Sequence, residues 1–276
     1  MLGLRSKAAL ITGGAGGLGS EICRRFVREG MKVAIADING ERIEKLQSEL
    51  EEMGGETVGI LVDLHSEESI CEMISQAEKA FGHLNTLINC AMETRREISS
   101  TDIDVLTMNL EAWKAMFEVN LYAGALACKY VIPGMIRQSG GTIVNFASTA
   151  GMLGEVNENG YGCTKAAVIQ LTRSIATTYG KRGIRCNCIS PGLIRHPRVD
   201  AALPPAIIDI VMENQLVPYP SEPKHISGVV AFLVSDDSAF ITGQNFVVDG
   251  GTNAHVPTYA QQAKLFANGF GIAKND

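Results

Sequence analysis

The residues with the clearest potential for chemistry are Tyr161 and Lys165, in the stretch NGYGCTKAAV at residues 159–168. At a spacing of four in a helical pattern, their side chains lie one turn apart on the same helix face. They fit an ordinary amphipathic edge, with the phenol half-buried and the ammonium in water. They also fit a catalytic pair, because the pKa of free tyrosine is about 10 and a fixed cation nearby lowers it.

A glycine-rich stretch near the N-terminus favours the catalytic interpretation. TGGAGGLG, residues 12–19, follows a predicted strand and leads into a helical pattern. A strand, a glycine turn and a helix N-terminus together present backbone N–H groups and the positive end of a helix dipole to a pyrophosphate. Asp37 ends the next predicted strand, where its carboxylate can accept from both ribose hydroxyls and would repel a 2′-phosphate. Since the glycine loop has no Arg or Lys to bind that phosphate, the sequence predicts NAD rather than NADP as cofactor.

A sheet has to position these residues. Short β-branched runs alternate with longer amphipathic patterns, which predicts an α/β fold with a doubly wound parallel sheet of the Rossmann type, flanked by helices. One helix is predicted for residues 39–53, with Asn39 or Asp37 near its cap and Gly54 and Gly55 at its end. The seven predicted strands are KAALIT, KVAIAD, TVGILVD, TLINCA, TIVNFAS, IRCNCIS and NFVVD.

The chain is predicted to form one domain, residues 1–251, that binds a dinucleotide and carries out catalysis. Within it, residues 193–224 combine several prolines with an apolar helical piece, which favours a mobile lid over core structure. Residues 252–276 follow the last predicted strand as a C-terminal tail extension. Its aromatic residues indicate docking, either across a neighbouring subunit or on the tail's own subunit.

The composition argues against several function classes. The chain has 276 residues, is 46% apolar, and carries a net charge of −6 with a pI of about 5.5. This acidic balance offers no surface for nucleic acid, and no apolar run approaches the roughly 20 residues of a membrane span. A cytoplasmic protein with a small-molecule substrate, and with no nucleic-acid or membrane partner, is therefore predicted. The seven cysteines lack a CxxC pair and the five histidines lack ligand spacing, so no metal site is expected.

Two spacings resemble those of a known family. TGxxxGxG at residues 12–19 and YxxxK at Tyr161 and Lys165 resemble the motifs of the single-domain short-chain dehydrogenases/reductases. Ser148, which ends a predicted strand thirteen positions before Tyr161, has the spacing of the family serine. The resemblance covers nearly the whole chain to Gly251, and it implies a nicotinamide-dependent oxidoreductase.

The resemblance implies roles for four residues in hydride transfer between a nicotinamide and a carbinol carbon. Tyr161 would be the general acid/base, which works best when its pKa lies near the working pH. Lys165 would lower that pKa and hold the nicotinamide ribose, and Ser148 would donate to the developing oxyanion. Asn120 matches the family asparagine whose helix distortion holds a water between Lys165 and bulk solvent, which completes a proton relay.

The resemblance also assigns residues to the cofactor. Asp63 matches the family aspartate at the adenine edge. Asn89 begins NCAM where the family usually has NNAG. Cys90 and Met92 thus replace an Asn and a Gly, so it stays open whether the hydrogen bonds and the close backbone approach expected there are made. His196 stands where the family often has the threonine that bonds the carboxamide of the nicotinamide. Three roles stay open: His196 makes that bond, the lid positions the nicotinamide ring instead, or His196 contacts the substrate. The predicted cofactor residues are Gly13, Gly17, Leu18, Gly19, Asp37, Asp63, Asn89, Tyr161, Lys165, Pro191, Gly192 and Ile194.

The apolar lid predicts a bulky secondary alcohol or ketone, alicyclic, aromatic or steroid-like, as substrate. Residues 92–109 are longer than the family norm and would form one wall of its pocket. One alternative is a 3-oxoacyl-thioester reductase, although that activity usually uses NADPH and a basic docking patch. The other is a catalytically inactive dinucleotide-sensing protein. Because family members pair long helices into four-helix bundles, residues 110–137 and 160–180 are predicted to build a homotetramer.

Overall fold

A computed structural model of the chain describes residues 1–267. Within this range the chain folds around a seven-stranded sheet in which all neighbouring strands run parallel, and the order is β3-β2-β1-β4-β5-β6-β7. This confirms the predicted doubly wound sheet and all seven predicted strands. The strands are β1 Ala8–Thr12, β2 Lys32–Asp37, β3 Thr57–Leu61, β4 Thr86–Asn89, β5 Gly141–Phe146, β6 Ile184–Pro191 and β7 Asn245–Val248.

The strand order reverses at the centre of the sheet. Strand β1 pairs with β2 on one side and with β4 on the other. The chain runs outward from β1 to β2 and β3, then crosses back to β4 and continues outward on the other side. In open α/β sheets, ligands bind in the crevice beyond the carboxyl ends of the strands at such a switch point. The glycine loop of residues 12–19 begins at that end of β1.

Helices cover both faces of the sheet, because alternate strand residues point to opposite sides. Leu10, Leu87 and Ile143 belong to one buried core, and Ile11, Ile88 and Val144 belong to the other. The helices are α1 Gly17–Arg28, α2 Gly40–Glu52, α3 Glu67–Phe81, α4 Arg96–Ser99, α5 Leu110–Phe117, α6 Ala123–Arg137, α7 Asn159–Tyr179, α8 Pro197–Ala202, α9 Pro205–Asn214, α10 Pro223–Val234 and α11 Tyr259–Ala267.

Helix α2 confirms the helix predicted for residues 39–53. Asn39 is its N-cap, and the side-chain oxygen accepts a hydrogen bond from the N–H of Arg42 at 2.9 Å. After Met53 the chain turns at Gly54, where φ is +83°. A positive φ is strained for residues with a Cβ, so the glycine ends the helix as predicted.

Helices α5 and α6 are joined by a π-helical turn at Glu118–Tyr122 into one long helix. Among the described residues, Leu110–Arg137 is the one helix long and apolar enough to cross a membrane, judged by length and composition alone, with a mean hydropathy of 1.2. Its buried side packs against α3 and the sheet. This is the packing of a core helix in a globular domain.

The predicted lid region, residues 193–224, contains the short helices α8 and α9 and the start of α10. The tail contains α11, and this helix packs against α9 of the same chain. Residues 268–276 of the predicted tail, which include Phe270, lie outside the described residues.

Candidate active site

Ser148, Tyr161 and Lys165 come from two elements that meet at the carboxyl edge of the sheet. Ser148 follows β5 and starts a short 3-10 turn, where its hydroxyl accepts from the N–H of Ala150 at 3.2 Å. Tyr161 and Lys165 lie in the first two turns of α7. The turn packs so closely on α7 that a Cβ added to Gly151 would lie 2.6 Å from the carbonyl carbon of Lys165. This contact sets the distance between the serine and the helix.

Lys165 is buried and directed toward the end of β5. Its ammonium donates to the carbonyl oxygen of Phe146 at 2.9 Å, and its Nζ lies 5.5 Å from the centre of the Tyr161 ring. Burial lowers the pKa of Lys165 to about 8, because removal from water disfavours the charged form. The structure therefore brings the lysine and the tyrosine together on one helix face.

The electrostatic surroundings of Tyr161 differ from the simple expectation of a lowered pKa. Burial raises the pKa of Tyr161 to about 12, a hydrogen bond with Ser148 lowers it, and the charge of Glu158 raises it again. In the protein without bound cofactor, desolvation of the phenolate thus raises the pKa of Tyr161 more than the hydrogen bond with Ser148 lowers it. A catalytic phenolate requires further positive charge beside the ring, such as the one an oxidised nicotinamide carries.

Asn120 occupies the π-helical turn between α5 and α6. Its side-chain oxygen accepts from the N–H of Glu93 at 2.7 Å, and its amide donates to the hydroxyl of Thr164 at 3.2 Å. Such π turns are rare and occur frequently at functional sites. The structure therefore places a distortion of the helix at the residue for which the family resemblance implies one.

A small cavity with a volume of about 20 Å³ borders Asn120. Asn89 and Asn145 also line it, and the amide of Asn89 donates to the oxygen of Asn145 at 2.8 Å. The side-chain oxygen of Asn89 is buried and has no hydrogen-bond partner within the described residues. A buried water needs roughly 10–15 Å³ by this measure together with polar partners, so the cavity has room for one.

The glycine loop forms a backbone cradle between β1 and α1. A Cβ added to Gly13, whose φ is +64°, would lie 2.9 Å from the Cα of Ala91, and one added to Gly19 would collide with the carbonyl oxygen of Gly13. Helix α1 starts at Gly17 and has no side-chain cap, which leaves the N–H groups of its first turn available to an anion. These features fit a pyrophosphate. Leu18 is partly buried against the core beneath.

Asp37 lies at the carboxyl end of β2, next to this loop. One carboxylate oxygen accepts from the N–H of Ala15 and the other from the N–H of Asn39, both at 3.1 Å. The carboxylate is thereby held against the loop, and its remaining lone pairs can accept further hydrogen bonds. This arrangement fits a ribose diol beside a pyrophosphate.

The substitutions in NCAM leave the backbone at the end of β4 well held. The hydroxyl of Thr12 accepts from the N–H of Cys90 at 3.2 Å and from the N–H of Ala91 at 3.3 Å. The close approach of Gly13 to Ala91 is also present. These two hydrogen bonds are made by backbone N–H groups, so they do not depend on the side chain of residue 90.

The remaining predicted residues lie around the same edge of the sheet. Asp63 is exposed two residues after β3, and its carboxylate accepts from the N–H of His65 at 2.9 Å. Pro191 ends β6, and the N–H of Gly192 donates to the carbonyl of Val248 at 3.2 Å. Ile194 packs against the core shared with α1.

His196 has a location that the sequence left open. A Cβ added to Gly17 would lie 3.2 Å from two atoms of the His196 ring. The ring therefore lies beside Gly17, the first residue of α1, where the glycine loop ends. This places the histidine on the phosphate side of the site.

Asp102 was not predicted from the sequence. This buried carboxylate lies in the 92–109 segment and accepts from the N–H groups of Gly160 and Tyr161, at the start of α7. Glu93 and Thr164, which hold the side chain of Asn120, were not predicted either. None of the three belongs to a spaced motif, because each acts through a contact between segments far apart in the sequence.

Comparisons with known proteins find related enzymes that match most of the chain. A family model described as enoyl-(acyl carrier protein) reductase matches residues 13–253. The 7alpha-hydroxysteroid dehydrogenase of Bacteroides fragilis is 37% identical over 92% of this chain and 96% of its own length. The cyclohexanol dehydrogenase of an Acinetobacter species is 33% identical over 89% of this chain and 94% of its own length.

A solved structure shows the same fold. The crystal structure of a short-chain dehydrogenase/reductase from Burkholderia xenovorans superposes with a TM-score of 0.82 at 30% identity, covering 92% of this chain and 98% of the other. The relatives of the present chain and the family match together identify an oxidoreductase acting on alcohols or ketones with a nicotinamide cofactor. The chain belongs to the short-chain dehydrogenases/reductases.

Proposed function

We propose that this chain is an NAD-dependent dehydrogenase that transfers a hydride between the nicotinamide and the carbinol carbon of a bulky, apolar secondary alcohol. The observation that carries the proposal is the meeting of Ser148, Tyr161 and Lys165 beside the glycine cradle, with a carboxylate at Asp37. That carboxylate favours a free ribose diol over a 2′-phosphate, which supports NAD. The family relatives that act on a hydroxysteroid and on cyclohexanol support an alicyclic substrate.

The residues of the chain supply binding and proton transfer. The N–H groups of the glycine loop and of the first turn of α1 would hold the pyrophosphate, Asp37 the adenosine ribose, and Lys165 the nicotinamide ribose. When bound, the nicotinamide accepts or supplies the hydride. Tyr161 takes the alcohol proton as a phenolate, or returns it as a phenol, while Ser148 donates a hydrogen bond to the substrate oxygen.

Asn120 would complete the path of the proton. The cavity beside its π turn has room for one water and is lined by Asn89, whose side-chain oxygen has no hydrogen-bond partner within the described residues. A water held there would pass protons between the buried Lys165 and solvent. We expect such a relay to operate in a cytoplasmic enzyme at neutral pH. Because the pKa of Lys165 is about 8, the lysine is mostly in its protonated, charged form at that pH.

The proposed assembly is a homotetramer built through the long helices. A groove between α6 and α7 has apolar residues, among them Ile132, Leu171 and Ile175, together with exposed Lys129. This surface fits the helix pairing of the family. The molar mass in solution, measured by light scattering after gel filtration, tests it.

A panel of cyclic, aromatic, steroid-like and linear secondary alcohols, each with NAD and with NADP, tests the proposed function through the absorbance of the NADH or NADPH formed. We expect the highest kcat/KM with NAD and a cyclic alcohol. A higher kcat/KM with NADP would contradict the assignment of NAD as the cofactor. Reduction of acetoacetyl-CoA with NADPH as the best reaction would instead support the thioester reductase, and no turnover with any alcohol or ketone would support the dinucleotide sensor.

Tyr161→Phe is the matched test of mechanism. The substitution removes the hydroxyl that exchanges the proton and keeps the ring, so we expect kcat to fall by about 10³-fold or more, in line with the usual contribution of acid/base catalysis. NADH affinity, measured by fluorescence, should stay within about twofold of the wild-type value, because the hydroxyl is not needed to hold the pyrophosphate. Retained turnover would refute the assignment.

A further inference from the structure

Helix α7, which carries Tyr161, starts without a cap of its own. Glu158 occupies the N-cap position in a left-handed conformation, with φ of +60°, and its side chain makes no capping hydrogen bond. The first N–H groups of a helix have no partner inside the helix. Since Tyr161 is the third residue of α7, its own N–H is one of these.

Asp102 supplies the missing cap from a distant part of the chain. One carboxylate oxygen accepts from the N–H of Gly160 at 2.8 Å and the other from the N–H of Tyr161 at 2.9 Å. The backbone carbonyl of Asp102 also accepts from the N–H of Glu158 at 2.9 Å. Bonds to an ionised acceptor are about twice as strong as neutral ones, and a negative charge at a helix N-terminus is favourable. Asp102 is 4% exposed, so water competes little for these bonds.

The segment around Asp102 is attached to the site at further points. The amide of Asn159 donates to the carbonyl of Ile103 at 3.3 Å, which extends the contact by one residue. At the start of the same segment, the N–H of Glu93 donates to the side chain of Asn120. Directly after Asp102, the side chains of Ile103, Val105 and Leu106 are apolar and exposed. The 92–109 segment is thus joined both to the proton-transferring helix and to the π turn.

We propose that Asp102 is a positioning residue, which fixes the first turn of α7 and thereby the direction in which Tyr161 presents its hydroxyl to the substrate. The proposal rests on the proposed dehydrogenase function and names a residue that the function does not otherwise use. A misplacement of about 1 Å at a reacting group can cost on the order of 10²-fold in rate. The carboxylate also joins the apolar wall of residues 103–106 to the turn that holds the tyrosine.

Asp102→Asn tests this role with little change in volume. The amide keeps one acceptor oxygen and turns an N–H₂ group toward the other backbone N–H, so one capping bond is lost. We expect kcat to fall by roughly 10- to 100-fold, while the Kd for NADH stays within about twofold, since the cradle of residues 12–19 is remote from the cap. Amide hydrogen exchange of peptides covering residues 158–165 should become faster.

Ser66→Ala is the control. Ser66 is the N-cap of α3, outside the 92–109 segment, and its hydroxyl accepts from the N–H of Ser69 at 3.2 Å. This variant should lose comparable thermal stability and keep kcat within about twofold, because a typical cap contributes about 1 kcal/mol to either helix. Equal losses of kcat in the two variants would show that Asp102 is merely structural and would overturn the proposal.

Hydrogen exchange keeps the two proposals distinguishable, because it needs neither cofactor nor substrate. An inactive wild-type protein would refute the proposed function. Unchanged exchange at residues 158–165 in Asp102→Asn would overturn the role of Asp102, whatever the activity. If Asp102→Asn does not fold, Asp102→Ser, which keeps one oxygen acceptor, replaces it in both measurements.

Discussion

Lys165 illustrates how a buried charge is tolerated at the cost of stability. Its ammonium is held by the carbonyl of Phe146 at 2.9 Å, and burial lowers its pKa to about 8. In the unfolded chain a lysine pKa is about 10.4. Between these two values the unfolded state binds more protons than the folded state, so this group makes stability rise with pH from about 8 to about 10.4. Below pH 8 the full cost of burying the charge is present.

Lys165→Met removes this titration while it keeps an unbranched apolar stem. At pH 7 we expect the variant to unfold at a higher temperature than the wild-type protein, since the desolvation cost is gone. The advantage should shrink by about 2 kcal/mol between pH 7 and pH 9.5, because each pKa unit corresponds to about 1.4 kcal/mol. Urea unfolding of both proteins at the two pH values measures it, and the comparison cancels groups common to both. A difference that does not change with pH would contradict the assigned pKa.

Asp37 sets the proposed preference for NAD at the scale of a single carboxylate. Asp37→Asn removes the charge and keeps an acceptor for the N–H of Ala15. We expect kcat/KM with NADP to rise by about tenfold, equivalent to about 1.4 kcal/mol, because the repulsion of a 2′-phosphate is lost. Glu41→Gln, which removes an exposed charge from the first turn of α2 nearby, should leave the ratio of NAD to NADP activity unchanged. An equal change in both variants would point to net charge rather than to Asp37.

The sequence predicted the residues of the site that belong to spaced motifs. Tyr161, Lys165 and the glycine loop stand at fixed spacings because one helix turn and one strand–helix junction dictate them. Asp102 lies 59 residues before Tyr161 and has no fixed spacing to it. Asn157 lies just before α7 and Asn159 is its first residue, and Asn is a common N-cap residue, so nothing in the sequence directs attention to a remote carboxylate.

At the scale of elements, the strands were predictable because parallel strands buried on both faces read as continuous apolar runs. The pKa of Tyr161 was not, since it depends on how the 3-10 turn after Ser148 packs against α7 and encloses the phenol. That packing is decided by Gly151, whose lack of a side chain lets the two backbones approach. A residue pattern shows where an element lies, and this close contact decides how far apart two elements are.

Gly151→Ala tests the contact between the turn and α7. The added Cβ would lie 2.6 Å from the carbonyl carbon of Lys165 and 2.7 Å from the N–H nitrogen of Ala166. Backbone atoms on both sides cannot yield without moving the turn, so Ser148 and Tyr161 should separate and kcat should fall by about 10²-fold. Gly154→Ala is the control in the same loop, because its Cβ would meet nothing within 4 Å. Similar kcat values for the two variants would rule out a role for the close approach.

At the scale of the whole molecule, the tail and the lid region form one unit beside the site. The ammonium of Lys264 in α11 pairs with Glu213 of α9 at 2.9 Å, and a ring nitrogen of His255 lies 2.6 Å from the carbonyl oxygen of Asn214. The same helix α9 has no buried residue of its own and exposes Ile207 and Ile210. The tail therefore holds in place a helix that has little other packing.

Deletion of residues 257–276 separates the two roles that the sequence left open for the tail. Since α11 packs on α9 of its own chain, its removal should loosen α9, which keeps only the His255 contact with Asn214 from the tail. The KM of a bulky alcohol should then rise several-fold, while the variant keeps the oligomeric state of the full-length protein. Lys264→Ala, which breaks only the exposed ion pair with Glu213, should have a much smaller effect on KM, because such pairs contribute about 0–1 kcal/mol. A deletion variant of lower molar mass would show instead that the tail holds subunits together, and an unchanged KM would show that α9 does not depend on it.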